Sequence, residues 1–413
     1  MRLWKLMWNF KSILMNWGYE KMRFLQDELK IARTYKLKNI VRRVGEPVKV
    51  EPTKEYTQIG IRSHGKGIFI KDSVSGLELG NKRVFWMEPD CFIVNIVFAW
   101  ELAVSRTTDA QVGYIASHRF PMYKVDKELI NLDYFTEYFQ TKKGKSLLEL
   151  ASPGGAGRNK TLGQKEFLDL EITVPNLEIQ NYITSFIKLL DSKIQRQQKK
   201  IELLKEQKKS LMQKIFKQEI RFNDENGKDY PKWDYVKLGE LTKKTGTKNK
   251  DGIKYPVASI SNKLGFTLQG EKKNSSTVVD IKAYKLVHRD EFAYNPSRIN
   301  VGSFGLQDVA ETAIVSSLYV IFQTVPELSN SYLKAYMQTT SFNQDVSRNT
   351  EGSVRDYLFY ENFSSIKIPL PLIEEQEQIA DFLSKLDNKI QLEQQKLQDL
   401  QEQKKGFMQQ MFI

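Results

Sequence analysis

A single cysteine, Cys91, stands in the 413 residues, so neither a disulfide framework nor a thiolate metal cluster can form within the chain. The three histidines, His64, His118 and His288, are spread too widely to give a pair at metal-ligand spacing. Long apolar runs are also missing. The opening MRLWKLMWNFKSILMNW is broken by Lys5 and Lys11, falls short of a membrane span and is followed by no small-residue cleavage site. The expected setting is therefore a reducing cytoplasm, away from any membrane, and the opening residues carry no assigned function.

Catalytic signatures fail in the same way. Gly154-Gly155-Ala156-Gly157-Arg158-Asn159-Lys160-Thr161 resembles a phosphate loop but lacks the Gly-Lys-Ser/Thr ending. Tyr294-Asn295-Pro296-Ser297 lacks the second proline and the final aromatic of an amino-methyltransferase motif. Asp90 with Glu101 invites a nuclease reading, yet no lysine stands two residues after Glu101, and Asp90 reads better as a turn before a buried strand. No catalytic residue, metal site or cofactor site is expected in this chain.

What is present is charge and repetition. Lys and Arg total 63 against 50 acids, a net +13 that suits a polyanion, of which nucleic acid is the commonest. The segment from Phe167 aligns without a gap to the segment from Phe363, with about 22 identities over about 50 positions, far above chance. The match includes Pro175 with Pro371, Glu178 with Glu374, Gln180 with Gln376, and Asp191-x-Lys193-Ile194 with Asp387-x-Lys389-Ile390. Two copies are too few for a solenoid and imply a duplicated domain.

Each copy opens with a strand-like stretch ending at proline and continues as a long helix. Apolar residues recur three and four apart at Ile187, Leu190, Ile194, Ile201, Leu204, Leu211 and Ile215, and at Leu383, Leu386, Ile390, Leu397, Leu400, Phe407 and Met411. That is a coiled-coil seam, interrupted at matching places by Gln197 and Lys208 and by Glu393 and Lys404. The expected fold is α+β: two mixed α/β domains, each followed by a long helix, the helices pairing as an antiparallel coiled coil with pseudo-twofold symmetry. The expected boundaries are an atypical N-terminal extension (1–30), a first domain (31–175), its helix (176–217), a polar linker (218–232), a second domain (233–371) and its helix (372–413). Three echoes relate the domains: Tyr35-Lys-Leu with Tyr235-Val-Lys-Leu, Asp90 to Asn95 with Asp290 to Asn295, and the segments starting at Leu132 and Asn330.

Basic and amide side chains interleaved with glycine are the candidate DNA contacts. Arg pairs with guanine edges, Asn with adenine, and glycine lets backbone approach phosphate. The candidates are Arg62, His64, Lys66, Arg119, Arg158, Asn159 and Lys160 in the first domain. Those in the second are Asn295, Arg298, Asn300, Arg348 and Arg355. Each loop alone reads more often as a solvated turn; five such loops distributed over two equivalent domains of a +13 chain shift the balance toward DNA contact.

The alternation of variable domains with helices bearing P-x-x-E-x-Q…I…D-x-K-I resembles the specificity subunit of type I restriction-modification enzymes. The stretches Ile59–Phe69, Ser117–Pro121, Ser152–Leu162 and Phe292–Gly305 resemble that family's target-recognition domains. The resemblance implies that each domain reads half of a split double-stranded DNA target. It also implies that the helices set the spacer and dock two methyltransferase subunits, which two restriction/motor subunits join. S-adenosylmethionine and ATP/Mg would belong to those partners, and the chain itself would be non-catalytic. A stand-alone coiled-coil DNA-binding protein is the alternative.

Overall fold

The computed structural model describes residues 31–154, 160–261, 265–269, 281–350 and 357–412. They form two compact units, one of residues up to Gln197 together with Lys396–Ile413, the other of Gln198–Gln395.

In the first unit, strand Arg33–Lys36 pairs antiparallel with Glu171–Val174. A four-stranded sheet follows, in the order Val41–Val44, Met122–Val125, Phe92–Val94, Val104–Arg106. Its apolar face packs on helix Leu132–Tyr138, where Phe92, Phe135, Phe139 and Phe167 form a ring cluster with no exposed surface. The second unit repeats this plan. Asp234–Lys237 pairs with Lys367–Leu370, and Thr242–Thr245, Val320–Thr324, Phe292–Tyr294 and Phe304–Leu306 lie in the equivalent order. The units differ in their outer strands. The first adds a four-stranded sheet of Ile68–Ser75, Glu55–Ile61, Ile115–Ser117 and Val84–Trp86, the second two separate strand pairs.

The long helices span Leu177–Phe216 and Ile373–Met411. In the first unit Phe186 meets Phe407 edge-on at 4.8 Å, and Lys404 Nζ donates to both Asp191 carboxylate oxygens at 2.8 Å. In the second, Lys208 Nζ donates to Asp387 at 2.6 and 2.7 Å, and Lys200 lies 2.9 Å from buried Glu393. As one helix ascends the other descends, so the pairing within each unit is antiparallel. Asp191 and Asp387 occupy the same repeat position, as do Lys208 and Lys404, so both units use one ion pair in reciprocal form. The seam is broader than the heptad reading. Ile183, Phe186, Met212 and Phe216 are buried along with Ile187, Leu190, Ile194, Ile201 and Ile215, while Leu204 and Leu211 are half-buried.

The repeated glutamine explains itself in this setting. Gln180 has no exposed surface; its carboxamide oxygen accepts from the Asn131 N–H at 2.9 Å and its nitrogen donates to Leu129 O and Pro175 O. Gln376 makes the same three bonds to Ser329 N–H, Glu327 O and Pro371 O. Each glutamine ties the start of a long helix to the cap of the short helix in its own domain, since Asn131 and Ser329 are those caps.

Two expectations need correction. The echo at the first strand is shifted by one: Tyr35 pairs with Ile172 and Val236 with Ile368, so Val236 rather than Tyr235 is the counterpart of Tyr35. The segment 218–232 is not a bare linker. Arg221 Nε donates to Glu375 at 2.8 Å, the indole N–H of Trp233 donates to the same carboxylate, and Phe222 packs on Phe382. Glu375 is fully buried and needs such partners. At the same repeat position the first unit has Ile179, which needs none.

Gln180→Leu leaves one buried and two partly buried backbone groups without their partner and is expected to cost the first unit about 2–3 kcal/mol. Hydrogen-exchange mass spectrometry should show weakened protection there with the second unit unchanged; Gln376→Leu should do the reverse.

Candidate nucleic-acid interface

The strand after each of the echoed aspartates ends in an asparagine that builds a tight turn. Asp90 and Asp290 both enter the left-handed region, at φ 53 and 66°. Asp90 is the turn residue expected, and the Arg106 guanidinium that hydrogen-bonds it holds its carboxyl below the usual carboxylate range. Beyond the strand, Asn95 Oδ1 accepts from Val97 N–H and Asn295 Oδ1 from Ser297 N–H, each at 3.1 Å. Asn95 N–H donates to Ala103 O and Asn295 N–H to Ser303 O, both at 2.9 Å. Single 3-10 turns follow, Ala99–Glu101 and Ile299–Val301, closed by Leu102 at φ 61° and Gly302 at φ 86°. A leucine there costs about 1–2 kcal/mol that a glycine avoids. The two turns are one structure with different side chains: Phe98 stands where the second unit has Arg298, and Trp100 where it has Asn300.

The first turn is a hub. The loop carrying Arg62, His64 and Lys66 docks on it through His64 N–H to Glu101 O at 2.7 Å and Gly65 N–H to Leu102 O at 2.9 Å. His64 is itself left-handed, at φ 61°. Ile96 N–H donates to Arg119 O and Leu162 N–H to Ile96 O. Lys160 places its ammonium 5.9 Å from the centre of the Trp100 ring, and Arg62 covers Phe69 at 4.9 Å. Arg62, His64, Lys66 and Arg119 are exposed, Lys160 partly so. Segments distant in sequence thus meet at one turn. Arg158 and Asn159 lie outside the described residues.

Beside the turn opens a cavity of about 460 Å³ lined by Lys71, Lys82, Arg83, His118, Arg119 and Phe98, with no carboxylate in its wall. Lys71, Lys82 and Arg83 are not among the sequence candidates. Lys82-Arg83 is detectable as a basic pair before a strand; Lys71 carries no signal, since only the outer sheet brings it near.

In the second unit Arg298 and Asn300 are exposed on the turn, and helix Thr340–Asn349, which bears Arg348, packs against it. Arg348 is exposed and lies 3.2 Å from Asp345. Asn295 is differently placed: its oxygen serves the turn, accepting from both the Ser297 N–H and hydroxyl, so its role there is to shape the loop. Tyr294 is fully buried and packs against Phe363. Arg355 lies outside the described residues. The adjoining cavity, about 610 Å³, mixes Asn300, Gln338 and Asn343 with the ion-paired Asp308 and Lys334. A further cation group, also missed from sequence, centres on Lys285: burial, with Lys244 and Lys248 adding to it, lowers its ammonium from the ordinary lysine value.

Cys91 is buried and its thiol is pushed up to about 11 by that burial, which keeps it protonated and unreactive at neutral pH. Among the described residues no group of three potential ligands could hold a metal ion, and no helix is long and apolar enough to cross a membrane.

A duplicated α+β domain with a cation-rich turn, followed by a long helix, is the build of a DNA-specificity component. The chain belongs to the type I restriction modification DNA specificity domain family, which matches residues 81–206 and 230–402, well over half of its length. It is similar to the type I restriction enzyme MjaVIII specificity subunit of Methanocaldococcus jannaschii, 23% identical over 365 residues and 82% of each chain. Its fold is similar to that of the HsdS subunit from Thermoanaerobacter tengcongensis, with TM-score 0.54 and 15% identity over 92% of this chain and 96% of that one. A chain solved for complex assembly and conformational transition of the type I R-M system gives TM-score 0.61 and 14% identity, over 92% and 97%.

Replacing Lys82 and Arg83 together by alanine is expected to reduce the slope of log affinity against log salt by about one for each phosphate left without its cation, with sequence preference kept. Filter binding across a salt series reads both quantities.

Proposed function

We propose that this chain reads a two-part double-stranded DNA site for a type I restriction-modification complex, each unit taking one half. The observation that carries the reading is the repeated turn, beside which in the first unit lies a cavity with five basic side chains and no carboxylate in its wall, and which bears Arg298 and Asn300 in the second. Cations hold phosphates and fix register, while Arg and Asn discriminate base edges. Arg62, His64, Lys66, Arg119, Arg158, Asn159 and Lys160 serve the first half-site, and Arg298, Asn300, Arg348 and Arg355 the second, with Asn295 shaping its turn.

The long helices set the unread spacer and dock two modification subunits, and two restriction subunits complete the assembly. This chain performs no chemistry itself. S-adenosylmethionine, ATP and Mg²⁺ act in the partners, and the complex works in the cytoplasm. The match to a DNA specificity family supports that division of labour.

Deleting the gene is expected to erase one split N6-methyladenine motif from the genome, as read by long-read methylation mapping. An unchanged methylome with the modification subunit expressed overturns the reading.

A further inference from the structure

The two turns are matched bond for bond, yet their exposed side chains belong to different chemical classes. Phe98 N–H donates to Asn95 O at 3.1 Å and Arg298 N–H to Asn295 O at 3.0 Å; Leu102 N–H donates to Ala99 O and Gly302 N–H to Ile299 O. With the backbones equivalent, Phe98 and Arg298 leave their turns at the same point. Phe98 is 39% exposed, a large apolar ring in the wall of a cavity otherwise rich in cations. Phe98 is not among the side chains of the unit's hydrophobic cores. Trp100 is unavailable for hydrogen-bonded readout, since its indole N–H already donates to Val97 O at 3.2 Å and Lys160 sits over its ring.

We infer that the two turns are the base-reading elements of the two units and that they read by different chemistry. Arg298 and Asn300 hydrogen-bond purine edges in one half-site, whereas Phe98 selects a thymine methyl in the other. This rests on the DNA-reading role proposed above. The cations around Phe98 hold the backbone on either side of the contacted base, which brings the methyl against the ring. In the major groove the C5-methyl is the feature of thymine that an apolar side chain distinguishes. A side chain without donors or acceptors has nothing to offer a guanine or adenine edge. The turn keeps its left-handed closure even with leucine at position 102, so backbone geometry is held while the reading residue varies.

The experiment uses the whole complex, with modification subunits, and begins with the methylation motif of the unaltered protein. If no two-part motif is found, the proposed function itself has failed. Given a motif, Phe98→Ala is expected to relax one T·A position in one half and leave the other half intact. Arg298→Ala and Asn300→Ala are each expected to relax a position in the opposite half, by about tenfold or more. Purified complex is then bound to duplexes in which deoxyuridine replaces the thymine. The unaltered protein should lose affinity severalfold, and the Phe98→Ala complex should lose none from the same replacement. Phe98→Leu, which keeps apolar surface, should retain the thymine preference and controls for folding. The inference is overturned if Phe98→Ala lowers methylation evenly with an unchanged motif, if it alters the half-site that Arg298→Ala alters, or if both complexes respond equally to deoxyuridine.

Discussion

A glutamine with no exposed surface must satisfy both ends of its carboxamide inside the protein, and Gln180 and Gln376 do so by joining three pieces of backbone at one point. The short helix of each domain, the proline that ends its last strand and the first turn of its long helix are held together there. Because the amide has a donor end and an acceptor end in fixed geometry, it sets direction as well as distance. An apolar residue of similar volume would pack but would not orient. The sheet, the aromatic cluster and the exposed turn are thus carried on a helix whose entry angle is fixed, and the ion pairs further along each unit act on a partner already aligned.

The architecture is largely legible in the sequence because its signals are periodic or repeated. The heptad-like spacing from Ile187 to Ile215 and its copy from Leu383 to Met411 define the helices, and the ungapped alignment defines the duplication. What spacing does not show is which polar repeat residues face inward. Lys208 and Lys404 read as seam interruptions and prove to be the donors of reciprocal ion pairs. The segment after the first long helix reads as linker because it carries Asn-Gly and Pro, whereas Arg221 within it and Trp233 just after it answer to one buried carboxylate.

The site is legible in part, for a related reason. Arg62, His64, Lys66, Arg119 and Lys160 are visible as basic loops, but their common centre is not, since the turn they meet on carries Phe98 and Trp100 and looks apolar. The echo between Asp90–Asn95 and Asp290–Asn295 points to that turn; followed a few residues further, it sets Phe98 beside Arg298. An asparagine that shapes a turn, as the Asn295 oxygen does, and one that reads adenine have the same appearance in a sequence.

The division of the chain into its two units has a consequence for how the molecule is made. Residues 198–395 are contiguous and can close their core as soon as they leave the ribosome, but the core of the first unit includes Phe407, Met411 and Phe412, which are translated after all of them. The unit synthesised first is therefore completed last, with its apolar helix face uncovered throughout translation of the other. A stop codon introduced just before Phe407 would damage the earlier-encoded of the two units and spare the one encoded beside the stop.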